Sequence, residues 1–131
     1  MSEVRPVTTI LAVRDLRRSV AFYRAAFGWP VRIEVPVLVE FELPGGTGLS
    51  LYQREGFARN TGTEPALPPA QGTTGTELYL HCDELEALIE RIRAAGGQVL
   101  TPLAPRSWGD EAAYFADPDG NVIAVGRPLP G

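Results

Sequence analysis

The sequence predicts an α+β protein made of two tandem modules, each with a strand, a helix and three further strands. The first observation is an internal repeat, in which Leu11–Leu16 aligns with Leu80–Leu85, and Pro44–Leu51 aligns with Pro118–Val125. The second copy is about five residues longer than the first between these two blocks. The second observation is a chain of 131 residues, 44% hydrophobic and 21% charged, which fits one soluble domain with its own core.

Composition excludes several classes of protein. A single cysteine, Cys82, rules out an internal disulfide framework and a cysteine-based zinc site. A net charge of −4 gives no broad attraction to nucleic acid or to an anionic membrane. No apolar run approaches the roughly 20 residues of a membrane helix, and the N-terminus lacks a secretory pattern. We therefore expect a cytoplasmic protein with no nucleic-acid or membrane partner.

The first module begins with β-branched and apolar residues, which predict a strand over Thr8–Val13. Asp15 can cap a helix over Leu16–Phe27, and Gly28 can end it. Three further strands are predicted to follow, over Val31–Val35, Val37–Leu43 and Leu49–Gln53.

The second module repeats this order. A strand is predicted over Leu78–Cys82, and Asp83 with Glu86 forms a capping-box pattern for a helix from Leu85 that stops at Gly96. The remaining strands and the tight turn before the last one are predicted over Gln98–Thr101, Ala112–Ala116, Asp117–Asn121 (the turn) and Val122–Val125.

We expect one domain over residues 1–131, with module one at about 6–54, a linker at about 55–75 and module two at about 76–128. The linker is rich in Gly, Thr and Pro, so it is predicted to lack regular structure. It is either an exposed connector or a flap over a ligand site.

Two separated motifs resemble the vicinal oxygen chelate superfamily, which includes glyoxalase I, extradiol dioxygenases and bleomycin-resistance-type binding proteins. The first is Leu11–Leu16 followed by Phe22–Tyr23 and Phe27–Gly28, and the second is Trp108–Gly109 followed by Phe115–Asn121. The resemblance implies two βαβββ modules that form curved mixed sheets around a cleft, with helices on the outer face. It also implies a small-molecule ligand and a homodimer.

Enzymes of this superfamily usually hold a divalent metal with His and Glu. The resemblance carries their four positions onto Thr8, Ser50, Glu77 and Ala124, and only Glu77 is a strong ligand. A catalytic divalent site typically needs about three protein donors. We therefore expect no metal and no cofactor.

Strand alternation then divides the side chains into two sets. The set expected to face the helices is apolar and consists of Leu49, Leu51, Leu78, Leu80, Ile123 and Val125. The cleft receives the mixed set, and its candidate ligand-binding residues are Thr8, Glu40, Ser50, Tyr52, Glu77, Tyr79, His81, Trp108 and Tyr114. Glu40 and Glu42 could instead form a solvated strand face, and Trp108 could instead be a core or dimer-interface anchor.

The leading hypothesis is a metal-free small-molecule-binding protein that sequesters an aromatic or cationic natural product, because carboxylates beside aromatic rings favour a cationic planar guest. The alternative is a lyase, isomerase or dioxygenase-like enzyme in which Glu77 is the general base, with its pKa raised by burial, and Tyr114 or His81 assists. A third possibility is a partner-binding domain whose cleft holds nothing.

Overall fold

The computed structural model describes residues 2–131 and has the predicted α+β fold with two tandem modules. In chain order its elements are β1 Thr8–Val13, α1 Leu16–Phe27, β2 Val31–Val35, β3 Leu38–Glu42, β4 Gly48–Gln53, α2 Arg54–Thr61, β5 Glu77–His81, α3 Leu85–Ala94, β6 Gln98–Pro105, β7 Asp110–Ala116 and β8 Val122–Pro128. None of the helices among these residues is long and apolar enough to cross a membrane.

Each module forms its own four-stranded mixed sheet. The first sheet has the order β1-β4-β3-β2, and the second has the equivalent order β5-β8-β7-β6. In both, the strand before the module's first helix pairs in parallel with the last strand, and the other pairs are antiparallel. This identical strand order confirms the internal repeat predicted from the sequence.

The residues divide into two compact units whose boundary runs through α1. The first unit contains the chain up to Val20 together with Gly28–Ala66, and the second contains Ala21–Phe27 together with Leu67–Gly131. The last two turns of α1 therefore belong to the same unit as the second sheet.

The first unit buries the apolar side chains of one face of its sheet. Leu11 and Val13 of β1, Phe41 of β3, and Leu49 and Leu51 of β4 are all buried, as strand alternation predicts. The helix α1 begins as predicted, because Oδ1 of Asp15 accepts a 3.2 Å hydrogen bond from the Arg18 amide. The Gln53 side chain adds a second cap by accepting a 3.0 Å bond from the Leu16 amide.

The second unit buries residues from two helices and two strands. Its core contains Phe22, Tyr23 and Ala26 of α1, Leu85, Leu88 and Ile92 of α3, Phe115 of β7, and Ile123 and Val125 of β8. Leu78 and Leu80, which we expected in this core, are only half-buried. Arg91 of α3 donates a 3.1 Å hydrogen bond to the Ala26 carbonyl, so the two helices are in direct contact.

The expectation that the linker lacks structure was wrong for its first part, where residues 54–61 form α2. Glu55 in the first turn and Arg59 in the last complement the helix dipole, and Gly62 ends the helix in the left-handed region with φ of 77°. Gly56 disfavours a helix, so the sequence of this segment did not predict one. A Cβ atom at Gly56 would collide with the Tyr52 ring, so the glycine allows α2 to lie close against β4.

The predicted capping box of α3 does not form either. Glu84 occupies the N-cap position and makes no side-chain cap hydrogen bond. Both carboxylate oxygens of Glu86 instead accept bonds from Arg127 of β8, at 2.9 and 2.5 Å. A bidentate, charge-assisted pair is stronger than a bond to a neutral amide, which explains why the Glu86 side chain binds Arg127 rather than a backbone amide at the helix start.

Candidate functional site

The sheets carry two separate polar clusters. The first, which we call the Glu40 face, consists of Thr8, Arg32, Glu40, Ser50 and Tyr52 in the first unit. The second, which we call the Asp110 face, consists of Glu77, Tyr79, His81, Arg106, Trp108, Asp110 and Tyr114 in the second unit. Strand register brings most members of each set together, because residues paired across neighbouring strands point to the same side of a sheet, whereas Arg106 and Trp108 come from the connection between β6 and β7.

Three polar side chains on neighbouring strands form the Glu40 face's hydrogen-bonded row. Glu40 of β3 lies directly opposite Ser50 of β4. The Ser50 hydroxyl donates a 2.8 Å bond to Oε1 of Glu40, and the Thr8 and Ser50 hydroxyls are 2.9 Å apart. These hydroxyls are therefore already engaged with each other and with a carboxylate.

Arg32 supplies the positive charge of this face. The pairing of β2 with β3 shifts between Val31 and Ile33, and the Arg32 guanidinium reaches Glu40 with a 2.8 Å bond from Nε to Oε2. Its Nη1 donates a 2.7 Å bond to the Gly46 carbonyl. The Glu40 side chain is 6% exposed and the Arg32 side chain is 27% exposed, so this ion pair is largely removed from water.

Glu40 is thus an internally neutralised carboxylate, and the alternative of a solvated strand face was wrong for this residue. Burial alone would raise the pKa of Glu40, but bonds from Arg32, Ser50 and Thr8 together hold that pKa below its ordinary value. Glu42, two residues further along β3, is exposed as a solvated strand face would be. The half-buried Tyr52 completes the face, and its hydroxyl accepts a 3.0 Å bond from Asn60 of α2.

The residues at the metal positions implied by the resemblance do not fit a divalent ion. Thr8 and Ser50 offer hydroxyls already bonded to each other, and the Glu40 carboxylate opposite Ser50 is paired with Arg32. At the other two positions, Ala124 offers a buried methyl group and Glu77 is a single exposed carboxylate. Within residues 2–131 no group of three or more His, Cys, Asp or Glu side chains is placed to hold a metal ion. We therefore derive no chemical step through a metal.

On the Asp110 face, small residues of the central strand β8 lie between large side chains of β5 and β7. Tyr79 of β5 and Tyr114 of β7 both pair with Ala124 of β8, and His81 pairs with Gly126. A Cβ atom at Gly126 would lie 2.6 Å from the Glu111 carbonyl oxygen, so the glycine is required by the close approach of β7. Because these residues of β8 are small, the rings of Tyr79, His81 and Tyr114 project beyond them on this face.

Hydrogen bonds on this face converge on Asp110. Its Oδ2 accepts a 2.5 Å bond from the Tyr79 hydroxyl and lies 2.7 Å from Nε2 of His81. The indole Nε1 of Trp108 donates a 2.7 Å bond to the Tyr79 hydroxyl oxygen, with the two rings edge-to-face and their centroids 6.1 Å apart. The loop tryptophan is 57% exposed, which excludes the core position that we had left open.

These contacts also set protonation states. The bonds from Tyr79 and His81 lower the pKa of Asp110, so its carboxylate is charged at neutral pH. Burial and the bond to Asp110 raise the pKa of Tyr79, which remains a neutral donor. Asp110 therefore acts as the acceptor that orients its two neighbours.

The Tyr114 ring is covered on one side by Arg106, whose guanidinium carbon lies 4.8 Å from the ring centroid. Arg106 is held there by bonds of 2.9 Å to the Ala112 carbonyl and 3.1 Å to the Pro102 carbonyl. Burial and the negative charge of Glu77 raise the pKa of Tyr114. Glu77 itself is exposed, so our expectation of burial around this proposed general base was wrong.

Sequence reasoning missed Arg32, Arg106 and Asp110. Asp110 could have been found, because it shares the two-residue period of Ala112 and Tyr114, but the strand was predicted to begin only at Ala112. The position of Arg32 depends on the register shift in β2, and that of Arg106 depends on a turn closed by its amide bond to the Asp110 carbonyl. Neither of these two arginines has a signal in the sequence.

Comparison with known proteins identifies the family. The family model of the glyoxalase-like domain matches residues 7–130 of this chain. A crystal structure of a glyoxalase/bleomycin resistance protein/dioxygenase from Nocardioides has a TM-score of 0.81 and 27% identity, covering 100% of this chain and 87% of that one.

Two curated relatives are similar at comparable identity but align over a smaller share of their own length. An uncharacterized protein of Mycobacterium bovis is 27% identical over 82 residues, which are 63% of this chain and 54% of the relative. The anthracycline biosynthesis protein DnrV of Streptomyces peucetius is 29% identical over 126 residues, covering 86% of this chain and 43% of the relative. The chain thus spans about half the length of these two relatives. The match along nearly the whole chain, together with the doubled βαβββ fold, means that this protein belongs to the glyoxalase-like domain family of the vicinal oxygen chelate superfamily.

Proposed function

We propose that the protein is a metal-free small-molecule-binding protein that sequesters an aromatic or cationic natural product on its Asp110 face. The observation on which this proposal depends is the pair of accessible rings on that face, Trp108 at 57% and Tyr79 at 38% exposure. Exposed aromatic rings offer a large, flat contact area at low entropic cost.

The charges of this face favour a guest with a positive group. Glu77 is an exposed carboxylate on the same side of β5 as Tyr79, and Asp110 is a charged carboxylate behind the Tyr79 hydroxyl. A cation over an aromatic face gains about 0.5–2 kcal/mol, depending on how far it is desolvated. Arg106 already covers Tyr114, so Trp108 and Tyr79 are the rings open to such a guest.

The Glu40 face is the weaker part of the proposed site. Its carboxylate is neutralised by Arg32, so Thr8, Ser50 and Tyr52 would contribute polar or ring contacts rather than charge. We retain these residues as candidate contacts and assign the affinity for cations to the second sheet.

Two relatives support the natural-product character of the guest. The name of DnrV links that protein to anthracycline biosynthesis, and the name of the Nocardioides structure includes bleomycin resistance protein. We propose by analogy that this protein acts as a homodimer and that its expression raises tolerance to its guest.

Tryptophan fluorescence tests the proposal. In a Trp29→Phe background Trp108 is the remaining tryptophan, and titration with ethidium, an anthracycline or bleomycin should quench it saturably. Trp108→Leu, followed by guest fluorescence, should weaken ethidium binding about tenfold, whereas Trp29→Leu is the matched control and should leave it unchanged. Glu77→Gln should weaken ethidium but not neutral coumarin.

Two results would contradict this function. One is the absence of saturable binding for every compound in the panel, and the other is equal affinity of the Trp108→Leu variant and the unsubstituted protein. Chromatography of the recovered guest distinguishes sequestration from turnover. A product whose formation stops in Glu77→Gln would support the alternative of a lyase, isomerase or dioxygenase-like enzyme.

A further inference from the structure

Asp110 holds the imidazole of His81 in one tautomer. A carboxylate can only accept hydrogen bonds, and Oδ2 of Asp110 meets both the Tyr79 hydroxyl and Nε2 of His81. Both hydrogens must therefore come from the neighbours, so Nε2 of His81 is protonated. In the neutral imidazole the proton is then absent from Nδ1, whose lone pair is a hydrogen-bond acceptor.

His81 is more exposed to solvent than Asp110, which leaves the imidazole accessible to a proton donor. The His81 side chain is 50% exposed, whereas the Asp110 side chain is 12% exposed. Gly126 is the residue paired with His81 on β8, so the position directly opposite the ring carries no side chain. The titratable groups against the imidazole are Asp110 from β7 and Tyr79 from its own strand β5. The exposed imidazole is thus hydrogen-bonded to a carboxylate that is largely shielded from solvent.

We propose that Nδ1 of His81 accepts the proton of an acidic hydroxyl on an aromatic guest, with Asp110 as the positioning residue. In this step the guest O–H bond breaks, its electron pair stays on the guest oxygen, and a new N–H bond forms at Nδ1. The product is an imidazolium beside a guest oxyanion. Asp110 stabilises the imidazolium across the 2.7 Å contact with Nε2, as a carboxylate does in a Ser-His-Asp triad.

Proton transfer to His81 restricts the guest to compounds with a sufficiently acidic hydroxyl group. An ordinary phenol such as tyrosine has a pKa of about 10, far above that of a typical imidazole, and would keep its proton. The pair therefore selects phenols acidified by an electron-withdrawing group or an adjoining quinone. The Tyr79 ring lies 6.1 Å from the Trp108 ring and 5.8 Å from the His81 ring. A guest of several fused rings over Trp108 and Tyr79 would bring its edge to His81.

The inference rests on the proposed function, because it assumes that aromatic guests bind this face. The probe is para-nitrophenol, whose phenolate absorbs visible light while its phenol does not. On binding to the intact protein, slightly below the pH at which the free probe ionises, the spectrum should shift to the phenolate. The methyl ether para-nitroanisole has no hydroxyl and serves as the matched ligand, which should bind without any shift.

Two variants test the roles of the residues. In Asp110→Asn the amide can donate to Nε2, which moves the imidazole proton to Nδ1 and removes the acceptor. This variant and His81→Gln should bind para-nitrophenol as the phenol, and their loss of affinity for it should exceed their loss of affinity for para-nitroanisole by at least about tenfold. A Tm and a far-UV circular dichroism spectrum close to those of the unsubstituted protein show that both variants are folded.

The proposal is overturned if the unsubstituted protein does not bind para-nitrophenol, binds it as the phenol, or if Asp110→Asn still yields the phenolate at full affinity. Ethidium separates this outcome from failure of the proposed function. Saturable ethidium binding without a phenolate shift removes only the role of His81. A phenolate shift without ethidium binding supports His81 and contradicts the cationic guest.

Discussion

The hydroxyl of Tyr23 in α1 donates a 2.6 Å hydrogen bond to Oδ2 of Asp117, at the start of the turn between β7 and β8. The other oxygen of Asp117 accepts bonds of 2.9 Å from the amides of Asp119 and Asn121, which close the turn. Tyr23 is fully buried, and this burial together with the Asp117 charge raises its pKa, so it stays a neutral donor. One carboxylate therefore joins the turn to the helix within the second unit.

Replacing Tyr23 with phenylalanine tests this connection. The Tyr23→Phe variant keeps the ring but leaves Oδ2 of Asp117 with only the 3.1 Å bond from the Asn121 side chain. A buried bond to a charged group contributes about 1.5–3 kcal/mol, so urea denaturation should give a loss of about 2 kcal/mol in the free energy of unfolding. Tyr52→Phe is the matched control, because its hydroxyl bond to Asn60 is exposed, and it should cost less than about 0.5 kcal/mol. Equal losses would contradict the special role of Tyr23.

The pair of Arg32 and Glu40 gives a second prediction about stability. Arg32→Met removes the guanidinium while keeping much of the apolar stem, and it leaves the Glu40 carboxylate buried with no charged partner. We expect a loss of about 2–3 kcal/mol, since an uncompensated buried charge is costly. The double variant Arg32→Met/Glu40→Gln removes that charge and should recover part of the loss. Additive losses in a double-mutant cycle would show that the two residues do not interact.

The same pair predicts how stability depends on pH. The pKa of Glu40 is lower in the folded protein than in the unfolded chain, so its contribution is fully present above the ordinary glutamate pKa of about 4.3. That contribution is lost as the pH falls through the lowered folded pKa. The difference in unfolding free energy between the unsubstituted protein and Glu40→Gln should therefore be constant near neutrality and shrink below about pH 4. A difference that grows on acidification would contradict this sign.

Gly48 tests the space that the Glu40 face requires. A Cβ atom at Gly48 would lie 2.6 Å from Nη2 of Arg32 and 2.8 Å from Oγ1 of Thr8. Gly48→Ala should therefore displace the guanidinium and destabilise the protein by about 1–3 kcal/mol, as overpacking does. Gly75→Ala is the matched control, because nothing lies within 4 Å of its added methyl group. If Gly48→Ala in the Arg32→Met background costs as much as it does alone, the clash with Arg32 is not the cause.

Local signals predicted most of the fold. The bounds of β1, α1 and β2 agree with the sequence prediction, because each depends on short-range periodicity, on the Asp15 cap and on the break at Gly28. The helix α2 was missed because Gly56 is there for a contact with Tyr52, which is a tertiary reason rather than a propensity. The length of β7 was missed at its start, where Trp108 and Gly109 suggest a loop.

The site was less predictable than the fold for a physical reason. Alternation assigned Tyr79 and His81 to one face of β5, and the structure has them there, since this depends only on the two-residue period of a strand. Charge pairing depends on neighbours across the sheet. The sequence predicts a free carboxylate at Glu40, but the register shift in β2 places Arg32 beside it. The charge available to a guest therefore shifts from the first sheet to the second.

The Glu40 face is not expected to bind a divalent metal ion. Because Thr8 and Ser50 bond to each other and Arg32 neutralises Glu40, protein purified without chelator should contain well under one equivalent of Ni, Zn, Fe or Mn by elemental analysis. Neither these ions nor EDTA should change Tm, since a ligand raises Tm only when it binds the folded state. A positive control is Thr8→His/Ser50→His/Arg32→Met, which supplies two imidazoles beside a freed carboxylate, the three donors of a typical catalytic site. That variant should gain a metal-dependent rise in Tm, whereas stoichiometric metal in the unsubstituted protein would contradict the proposal of a metal-free protein.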